Sequence, residues 1–596
     1  MPGKRHLPPA TLCPPSVRRL PTLTRFEGVS NEFDVHDDPP VIEDLWYKNS
    51  VIYSLDLETF LDSNGDGIGD FRGLVRRLDY LEALGIDTIW LAPFHPSPRK
   101  DNGYDVVDYY GVYEPYGSSG NLVEFIHQAK KRGFKVIMDL VVNHTSDQHN
   151  WFREARKDKD SPYRDYYHWS EKEPKFKETG MVFPGEQEAT WTYDEKAKAW
   201  YHHRFYNFQP DLNWTNPDLR AEVRRIIGYY LQLGISGFRL DALPFMLEAS
   251  DPTKEEGEKR FEYLDEIRRF VQWRSGDAIL LGEANVAPEE MLPYFDSDGG
   301  PGGRVHMMFN FYVNQFLFYA LATGDTGPLE EALLATRDIP PNSQWAQFLR
   351  NHDELDLGRL SDEQRQEVFE KFAPDESMQL YGRGIRRRLA PMLGNREREE
   401  LAYSLMFSLP GAPVIRYGDE LGMGDDLSLD QRDAVRTPMQ WSDEPHGGFT
   451  TAEKPVHPAV SEGVYSYHRV NAEAQRQDPE SFMNWMGRMI RLRKECPEIG
   501  WGRYEVLDSG KDGILVMRYD WQGETLVTVH SFLEHQEEVE LRLDIDRAQV
   551  IVDLLHNRLS EAEDRVHRFV VNPHGYHWFR VGGMNYGASR RSYVMQ

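Results

Sequence analysis

Four stretches decide the fold of this 596-residue chain: FKVIMDLVVNH (134–144), GFRLDA (237–242), AILLGEAN (278–285) and WAQFLRNHD (345–353). In each of them a short apolar run ends in charged or polar residues. Strands that are apolar along their whole length are typical of parallel sheets covered on both faces. An amphipathic stretch, NLVEFIHQAKKRG (121–133), precedes the first of them, which indicates that helices and strands alternate.

Four more runs of the same kind complete the pattern: VIYSLDLETF (51–60), DTIWLAP (87–93), MMFNFYVN (307–314) and APVIRYGDE (412–420). Eight strands alternating with helices predict an α/β fold of the (β/α)8 or TIM-barrel type. Two intervals are too long for simple crossovers. Residues 145–215, rich in Tyr, Trp and His, predict a domain inserted after the third strand, and residues 354–400 predict a second insertion after the seventh.

Changes in composition give the remaining domain boundaries. Residues 1–40 are rich in proline and predict a disordered N-terminal arm. The barrel is predicted over 41–144 and 216–477, and a linking helix over 478–500. Residues 501–596 contain alternating runs such as GILVMRYD and ETLVTVHSF, which predict a C-terminal antiparallel β-sandwich domain.

The composition indicates which kinds of partner and which cellular compartment to expect. A net charge of −28 repels phosphate backbones and anionic lipids, so we expect no nucleic acid and no membrane partner. Two cysteines, Cys13 and Cys496, cannot form a disulfide framework, and the N-terminus lacks the apolar segment of a signal peptide. These features predict a cytoplasmic enzyme acting on neutral small molecules. The sequence leaves the oligomeric state open and is compatible with a homo-oligomer.

Polar residues gather where the predicted strands end, which is where barrels of this type place their catalytic residues. The strand ends carry His144 after the third strand, Arg239 and Asp241 on the fourth, Glu283 on the fifth, and His352 and Asp353 on the seventh. A single aspartate at a strand end is usually a helix cap. The whole set exceeds what capping or packing requires, and it indicates acid–base chemistry at the barrel mouth.

The order and context of these residues resemble the α-amylase family, glycoside hydrolase family 13. The resemblance rests on DLVVNH (139–144), QPDLN (209–213), GFRLDA (237–242), GEAN (282–285) and NHD (351–353). It implies that Asp241 is the nucleophile, Glu283 the general acid/base, and Asp353 the carboxylate that stabilises the distorted sugar.

Chemistry of this kind requires two carboxyl groups in different protonation states. A retaining glycosidase needs one ionised carboxylate to attack the anomeric carbon and one protonated carboxyl, about 5–5.5 Å away, to protonate the leaving oxygen. Arg239 precedes Asp241 by two residues and shares its strand face, so it can hold the nucleophile ionised. Glu283 needs a drier setting and nearby negative charge to keep its proton.

The family resemblance also implies a set of substrate-binding residues. His144 and His352 are expected to donate hydrogen bonds to sugar hydroxyls. In α-glucosidase relatives, the positions of Asp105 in GYDVVDYY and Arg436 in VRTPMQW clamp the terminal hydroxyls of the non-reducing glucose. Tyr104 is expected to stack on the face of that sugar. A turn-forming aspartate and a surface ion pair are the alternatives for Asp105 and Arg436.

A metal site is predicted in DSNGDGIGD (62–70), whose odd-spaced oxygen donors match a calcium loop. The predicted ligands are Asp62, Asn64, Asp66, the Ile68 carbonyl and Asp70. Position twelve is Gly73, so the bidentate glutamate of an EF-hand is missing. Resemblance to α-glucosidase-like members implies a structural Ca²⁺, and a plain Asx/Gly turn is the alternative. No organic cofactor is expected.

Longer strings resemble the maltose–trehalose isomerases of the family: RFYNFQPDLNWTNP (204–217), FLRNHDELDL (348–357) and VRTPMQWS (435–442). Asp56 and Glu58, in the first strand run, depart from their pattern. We predict interconversion of maltose and trehalose through a covalent glucosyl-enzyme intermediate, with side hydrolysis. The alternatives are an α-glucosidase, or a related hydrolase or transglucosylase, on short α-glucosides, and an inactive sugar-binding or scaffold protein.

Overall fold

The computed structural model describes residues 45–175, 177–248, 259–296, 303–545, 548–562 and 565–582. The predicted disordered arm, 1–40, lies outside these ranges. The first described element is the 3-10 turn Trp46–Asn49, which leads into the barrel. Across the described ranges, no helix is both long and apolar enough to cross a membrane.

A closed barrel of eight parallel strands forms the centre of the structure. Its strands are β1 (Ile52–Leu55), β2 (Thr88–Leu91), β3 (Lys135–Leu140), β4 (Gly237–Leu240), β5 (Ile279–Gly282), β6 (Met307–Phe309), β7 (Gln344–Phe348) and β8 (Ala412–Arg416). Each strand pairs with the next along the chain, and β8 pairs with β1, so the sheet has no edge. Every strand residue except Lys135 is buried, which explains the apolar runs and confirms the predicted TIM barrel.

The α-helices among the described residues are α1 (Phe71–Arg76), α2 (Leu78–Leu84), α3 (Ser119–Lys131), α4 (Asn150–Ala155), α5 (Pro217–Leu233), α6 (Leu243–Glu248), α7 (Glu262–Arg274), α8 (Pro288–Phe295), α9 (Phe311–Thr323), α10 (Gly327–Ala335), α11 (Asp362–Phe372), α12 (Leu389–Leu393), α13 (Arg396–Ser408), α14 (Ala472–Gln477), α15 (Phe482–Glu495) and α16 (Glu498–Trp501). The α5 helix has strong local signals at both ends. The Asn216 side chain caps its first turn, and Gly234 ends it in the left-handed conformation, with φ of 106°. These signals mark both ends of α5 in the local sequence.

Two segments rise from the carboxyl ends of barrel strands. The segment after β3 contains a three-stranded antiparallel sheet of Trp169–Ser170, Ala199–His202 and Trp191–Asp194. The segment after β7 contains a small sheet of Leu355–Asp356, Gly384–Ile385 and Gln379–Leu380, followed by α12. Since both follow the carboxyl ends of parallel strands, they stand on the face of the barrel where the candidate site lies.

Helix α15 leads from the barrel to the C-terminal domain, and its first turn is capped by the Ser481 side chain. The domain contains β9 (Arg503–Leu507), β10 (Ile514–Trp521), β11 (Glu524–Ser531), β12 (Glu537–Arg542), β13 (Val550–Asp553), β14 (Arg558–Glu561), β15 (Val566–Val571) and β16 (Tyr576–Val581). A six-stranded antiparallel sheet has the order β9-β10-β11-β16-β13-β14, and β12 pairs with β15. Both sheets contribute to one apolar cluster, so the antiparallel β domain predicted from the sequence is confirmed.

Candidate active site

One buried arginine organises the carboxylates at the barrel mouth. Arg239 lies on β4, directly opposite Asp139 on β3, and is 1% exposed. Its Nη1 lies 3.0 Å from Asp139 Oδ1 and 2.5 Å from Asp241 Oδ1. Its Nη2 lies 2.5 Å from Glu283 Oε1, at the end of β5. The strand register therefore brings three carboxylates, which lie in separate sequence motifs, onto a single guanidinium.

The two predicted catalytic carboxyls differ in how firmly they hold a proton. Burial raises the pKa of Asp241 to about 6, although the charge of Arg239 lowers it. Burial raises the pKa of Glu283 to about 7, again against Arg239, and the negative charge of Asp241 adds to the rise. At neutral pH Asp241 is therefore mostly ionised, while Glu283 keeps a substantial share of its proton. This is the division that double displacement requires.

Ala242, directly after the predicted nucleophile, is a residue of the site that sequence reasoning missed. Its φ is 51°, in the left-handed region, which costs a residue with a side chain about 1–3 kcal/mol. The strained backbone N–H donates a 3.0 Å hydrogen bond to Glu283 Oε2. The sequence contains no signal for this conformation, because glycine would be the residue expected there.

Asp353 is held ionised by two arginines. Burial alone would favour its neutral form, but the charges of Arg432 and Arg436 hold the pKa of Asp353 well below its usual range. Arg432 Nη1 and Arg436 Nη2 each lie 3.1 Å from Asp353 Oδ1. Arg432 also donates to Glu354 Oε2 over 2.7 Å. Sequence reasoning missed Arg432, which stands four residues before Arg436 in QRDAVR.

Tyr104 and the two predicted histidines form one hydrogen-bonded group. The Tyr104 ring stacks on His352 at 5.5 Å between centroids, and its hydroxyl lies 2.7 Å from His352 Nε2 and 3.0 Å from Asp139 Oδ2. His144 Nε2 lies 3.1 Å from the Tyr104 carbonyl oxygen. Burial lowers the pKa of His352 to about 3 and also lowers the pKa of His144. Both imidazoles are therefore neutral at pH 7.

Asp105 and Arg436 each have other partners, and no hydrogen bond or ion pair is found between these two described residues. The Asp105 carboxylate is fully buried and accepts hydrogen bonds from Ser97 Oγ (2.5 Å) and the Lys100 N–H (3.1 Å). Arg436 is 3% exposed, donates to the His352 carbonyl over 2.9 Å and contacts Asp353, so it is not a surface ion pair. Donors from the loop before Asp105 satisfy its carboxylate. Their joint contact with a sugar stays a prediction.

The two charges that depart from the isomerase pattern each have an arginine partner. Asp56, at the end of β1, is in contact with Arg416 on β8, and both are buried. Burial would favour the neutral acid, but Arg416 holds the pKa of Asp56 well below its usual range. Glu58 contacts Arg99 in the same way. Asp56 and Glu58 therefore each form an ion pair near the barrel mouth.

A cavity of about 550 Å³ opens above these groups. This volume lies within the usual range of small-molecule sites. Its lining combines the three predicted catalytic carboxylates with Tyr104, His144, Phe183, Phe205, Phe245 and Phe311. His352, Arg239, Asp105 and Arg436 do not line it. The aromatic rings offer apolar faces for sugar C–H groups. The lining also contains charged side chains beyond the catalytic carboxylates, among them Lys259, Arg383 and Arg432.

The predicted calcium loop is folded around the Asp62 carboxylate. Asp62 accepts hydrogen bonds from the N–H groups of Asn64, Gly65 and Gly67 and from Thr450 Oγ1. Gly65 and Gly67 have φ values of 83° and 92°, which the tight turn requires. These bonds form Asx turns, which is the alternative to a calcium site given above.

The other predicted ligands of this loop have local partners too. Asp66 accepts from the Ile68 N–H over 2.9 Å, and Asp70 accepts from Ser63 and caps α1. Three carboxylates, an amide and a carbonyl on one short loop remain a donor set that suits Ca²⁺. The donor types suit the ion, but Asp62, Asp66 and Asp70 do not bring their oxygens within 4.8 Å of one another in this structure, and a bound Ca²⁺ stays a prediction.

The barrel, its inserted segments and the carboxylate cluster define a glycoside hydrolase site. A family profile described as "Alpha amylase, catalytic domain" matches residues 54–381 and 385–502. The chain belongs to this family, glycoside hydrolase family 13, and is an enzyme of that class.

Within this family, the chain is similar to several characterised enzymes and to one solved structure. The chain is 42% identical over 547 residues to the trehalose synthase of Thermus thermophilus, covering 91% of this chain and 56% of that protein's length. It is 38% identical over 552 residues to the trehalose synthase of Pimelobacter sp. (strain R48), with 90% and 96% covered. The oligo-1,6-glucosidase of Bacillus cereus is 32% identical, with 87% and 96% covered. Among structures, Bacillus licheniformis trehalose-6-phosphate hydrolase has a TM-score of 0.73 at 27% identity, covering 90% of this chain and 100% of that one.

Proposed function

We propose that this protein interconverts maltose and trehalose by intramolecular glucosyl transfer, with hydrolysis as a side reaction. The observation that carries the proposal is the shared guanidinium of Arg239, which brings the Asp241 and Glu283 carboxyls together at the barrel mouth. Similarity to trehalose synthases over about nine-tenths of the chain supports the choice of substrates.

The reaction begins with attack on the glucoside. Asp241 forms a bond to the anomeric carbon while the bond from that carbon to the glycosidic oxygen breaks, and Glu283 gives its proton to that oxygen. The products of this step are a glucosyl ester on Asp241 and a free glucose. The released glucose then turns and attacks through its anomeric hydroxyl, whose proton passes to Glu283. The ester bond breaks, and two inversions leave the α configuration intact.

Isomerisation requires that the released glucose stay in the cavity and that water stay out. Phe183 comes from the segment after β3, and Tyr381 comes from the segment after β7; their rings lie 5.1 Å apart. The Arg432 guanidinium lies over both rings, at 4.8 Å and 5.8 Å from their centroids. Arg432 thereby links the two segments above Asp353 and favours a closed cavity. A difference of about 1.4 kcal/mol between the barriers for glucose and water changes the product ratio tenfold.

The alternative is an α-glucosidase acting on short α-glucosides, which the oligo-1,6-glucosidase relatives favour. Incubation of purified protein with maltose, followed by NMR, separates the two. Trehalose with a minor glucose signal supports the isomerase, whereas glucose alone supports the hydrolase. Absence of turnover together with measurable sugar binding would support the inactive scaffold. An Asp241→Asn preparation controls for contaminating activity.

We propose two further properties that rest on the residues alone. The loop 62–70 holds a structural Ca²⁺ that ties the segment after β1 to Thr450, and it takes no part in catalysis. The enzyme works in the reducing cytoplasm. In support, Cys496 is a free, buried cysteine, and burial raises the pKa of its thiol to about 12, which makes it unreactive.

A further inference from the structure

Three metal-ligating side chains meet in the C-terminal domain, away from the cavity described above. Asp553 ends β13, His556 lies in the tight turn to β14, and His577 lies on β16. Asp553 Oδ2 is 2.7 Å from His556 Nδ1 and 2.8 Å from His577 Nδ1. Within the described part of the chain, no other trio of His, Cys, Asp or Glu brings its ligand atoms within 4.8 Å of one another.

The fold positions each of these side chains by separate contacts. Asp553 Oδ1 accepts the N–H groups of Leu555 (3.0 Å) and His556 (3.3 Å), which leaves Oδ2 to face the imidazoles. The His577 ring stacks on Phe579 at 5.3 Å and meets Phe569 edge-on at 5.6 Å. The carboxylate and one imidazole are thus held in place before any ion arrives.

The cluster is also reachable from solvent. Asp553 is 4% exposed, but the side chains of His577 and His556 are 19% and 48% exposed. An ion can therefore approach past His556, whose position in a turn lets its ring move. A buried anionic ligand behind two accessible imidazoles is the arrangement of a shallow metal site.

We infer that Asp553, His556 and His577 form a binding site for one divalent transition-metal ion of the Zn²⁺ type. Two imidazole nitrogens and one carboxylate oxygen are a ligand set that suits zinc, and a water completes the tetrahedron. This inference goes beyond the proposed function, because the site makes no contact with the catalytic groups.

Binding moves apart the two hydrogen-bonded pairs and sets the spacing of the His556 and His577 Nδ1 atoms, which lie within 4.8 Å of one another. A tetrahedral ion about 2.0–2.1 Å from each ligand separates the ligand atoms by about 3.3 Å, so the present hydrogen-bonded atoms open by about half an ångström. A neutral imidazole that now donates from Nδ1 carries its proton on Nε2 when Nδ1 binds the ion. The ion would then tie the β13–β14 turn to β16. The all-oxygen loop at 62–70 prefers a hard ion, so the two sites select different metals.

The test uses the full chain without a histidine tag, stripped with EDTA and returned to buffer with excess Ca²⁺. Titration with Zn²⁺ by calorimetry, and with Co²⁺ by visible absorption, should give one ion per chain and a higher Tm. His556→Gln should weaken Zn²⁺ binding at least tenfold. His535→Gln is the matched control, because His535 is an exposed histidine 3.5 Å from a single carboxylate, that of Glu537.

Two results would overturn the inference: no stoichiometric Zn²⁺ binding to the wild-type chain, or unchanged binding in His556→Gln. Asp553→Asn provides a second variant, but it removes a buried charge and can affect folding. His556 is half exposed, so its variant tests the site without removing a buried group. None of these measurements depends on turnover, so a failure here is separate from a failure of the proposed function.

Discussion

Replacing Asp241 with asparagine should make the folded protein more stable at neutral pH while it abolishes turnover. Burial raises the pKa of this carboxyl from its usual 3.8 to about 6, so the folded state resists its ionisation. That shift corresponds to about 3 kcal/mol against the charged form. Asparagine keeps the shape and removes the charge, and Arg239 still pairs with Asp139 and Glu283.

The sign of the effect fixes its pH dependence. The pKa of Asp241 is higher in the folded protein, at about 6, than in the unfolded chain, at about 4. The free energy of unfolding therefore decreases as the pH rises between these two values, and it is not reduced at lower pH, where the carboxyl is neutral in both states. The gain from Asp241→Asn should therefore be about 3 kcal/mol at pH 7.5 and only about 1 kcal/mol at pH 4.5. At pH 3.5 the two proteins should be nearly equal in stability.

Thermal unfolding and denaturant titration of both proteins at the three pH values measure this difference. Asp338→Asn is the control, because this side chain is 86% exposed and contacts only the neighbouring Arg337 among the ion pairs described. Asp338→Asn should change the free energy of unfolding little at any of the three pH values. An Asp241→Asn protein no more stable than wild type at pH 7.5, or one whose gain is the same at pH 4.5, would refute the reasoning.

Three further outcomes follow from the site and the loop. Arg432→Gln should raise the ratio of glucose to trehalose by up to about tenfold. The reason is that the variant loses the cation–π contacts to the Phe183 and Tyr381 rings, worth about 0.5–2 kcal/mol, which favour a closed cavity. NMR of the products measures this ratio. Arg220→Gln, which also loses an ion pair and a ring contact but lies outside the cavity lining, should leave the ratio unchanged. The value of kcat/KM should fall above about pH 7 as Glu283 loses its proton and below about pH 6 as Asp241 gains one, and a flat profile would contradict the assignment. EDTA should lower the Tm and Ca²⁺ should restore it, whereas Asp62→Asn should respond to neither; an EDTA-insensitive wild type would count against the calcium site.

The sequence was sufficient for the features that local pattern determines. Continuous apolar runs predicted all eight barrel strands, because both faces of each strand are buried. Strand β14, in contrast, was missed, since its residues are mostly exposed and show no alternation. An exposed edge strand does not need apolar residues at alternate positions, so its sequence lacks the pattern that predicts a strand.

Long-range packing decided what could not be read from the sequence. Arg432 lies 79 positions from Asp353 in the sequence, and no local rule pairs them. The backbone of Ala242 has a left-handed conformation, and its N–H donates to Glu283, 41 positions away in the sequence. Motifs indicate which residues are present, and the tertiary structure determines which atoms meet.

The tie between Asp56 and Arg416 has a consequence for how the chain is made. The two residues lie 360 positions apart, so the first strand leaves the ribosome long before its ionic partner exists. At about 5–20 residues per second, the wait is about 20–70 s. Throughout that interval the nascent sheet has an open edge and a carboxylate destined for burial without its counter-charge. We expect the growing chain to depend on chaperones until β8 emerges and the barrel can close.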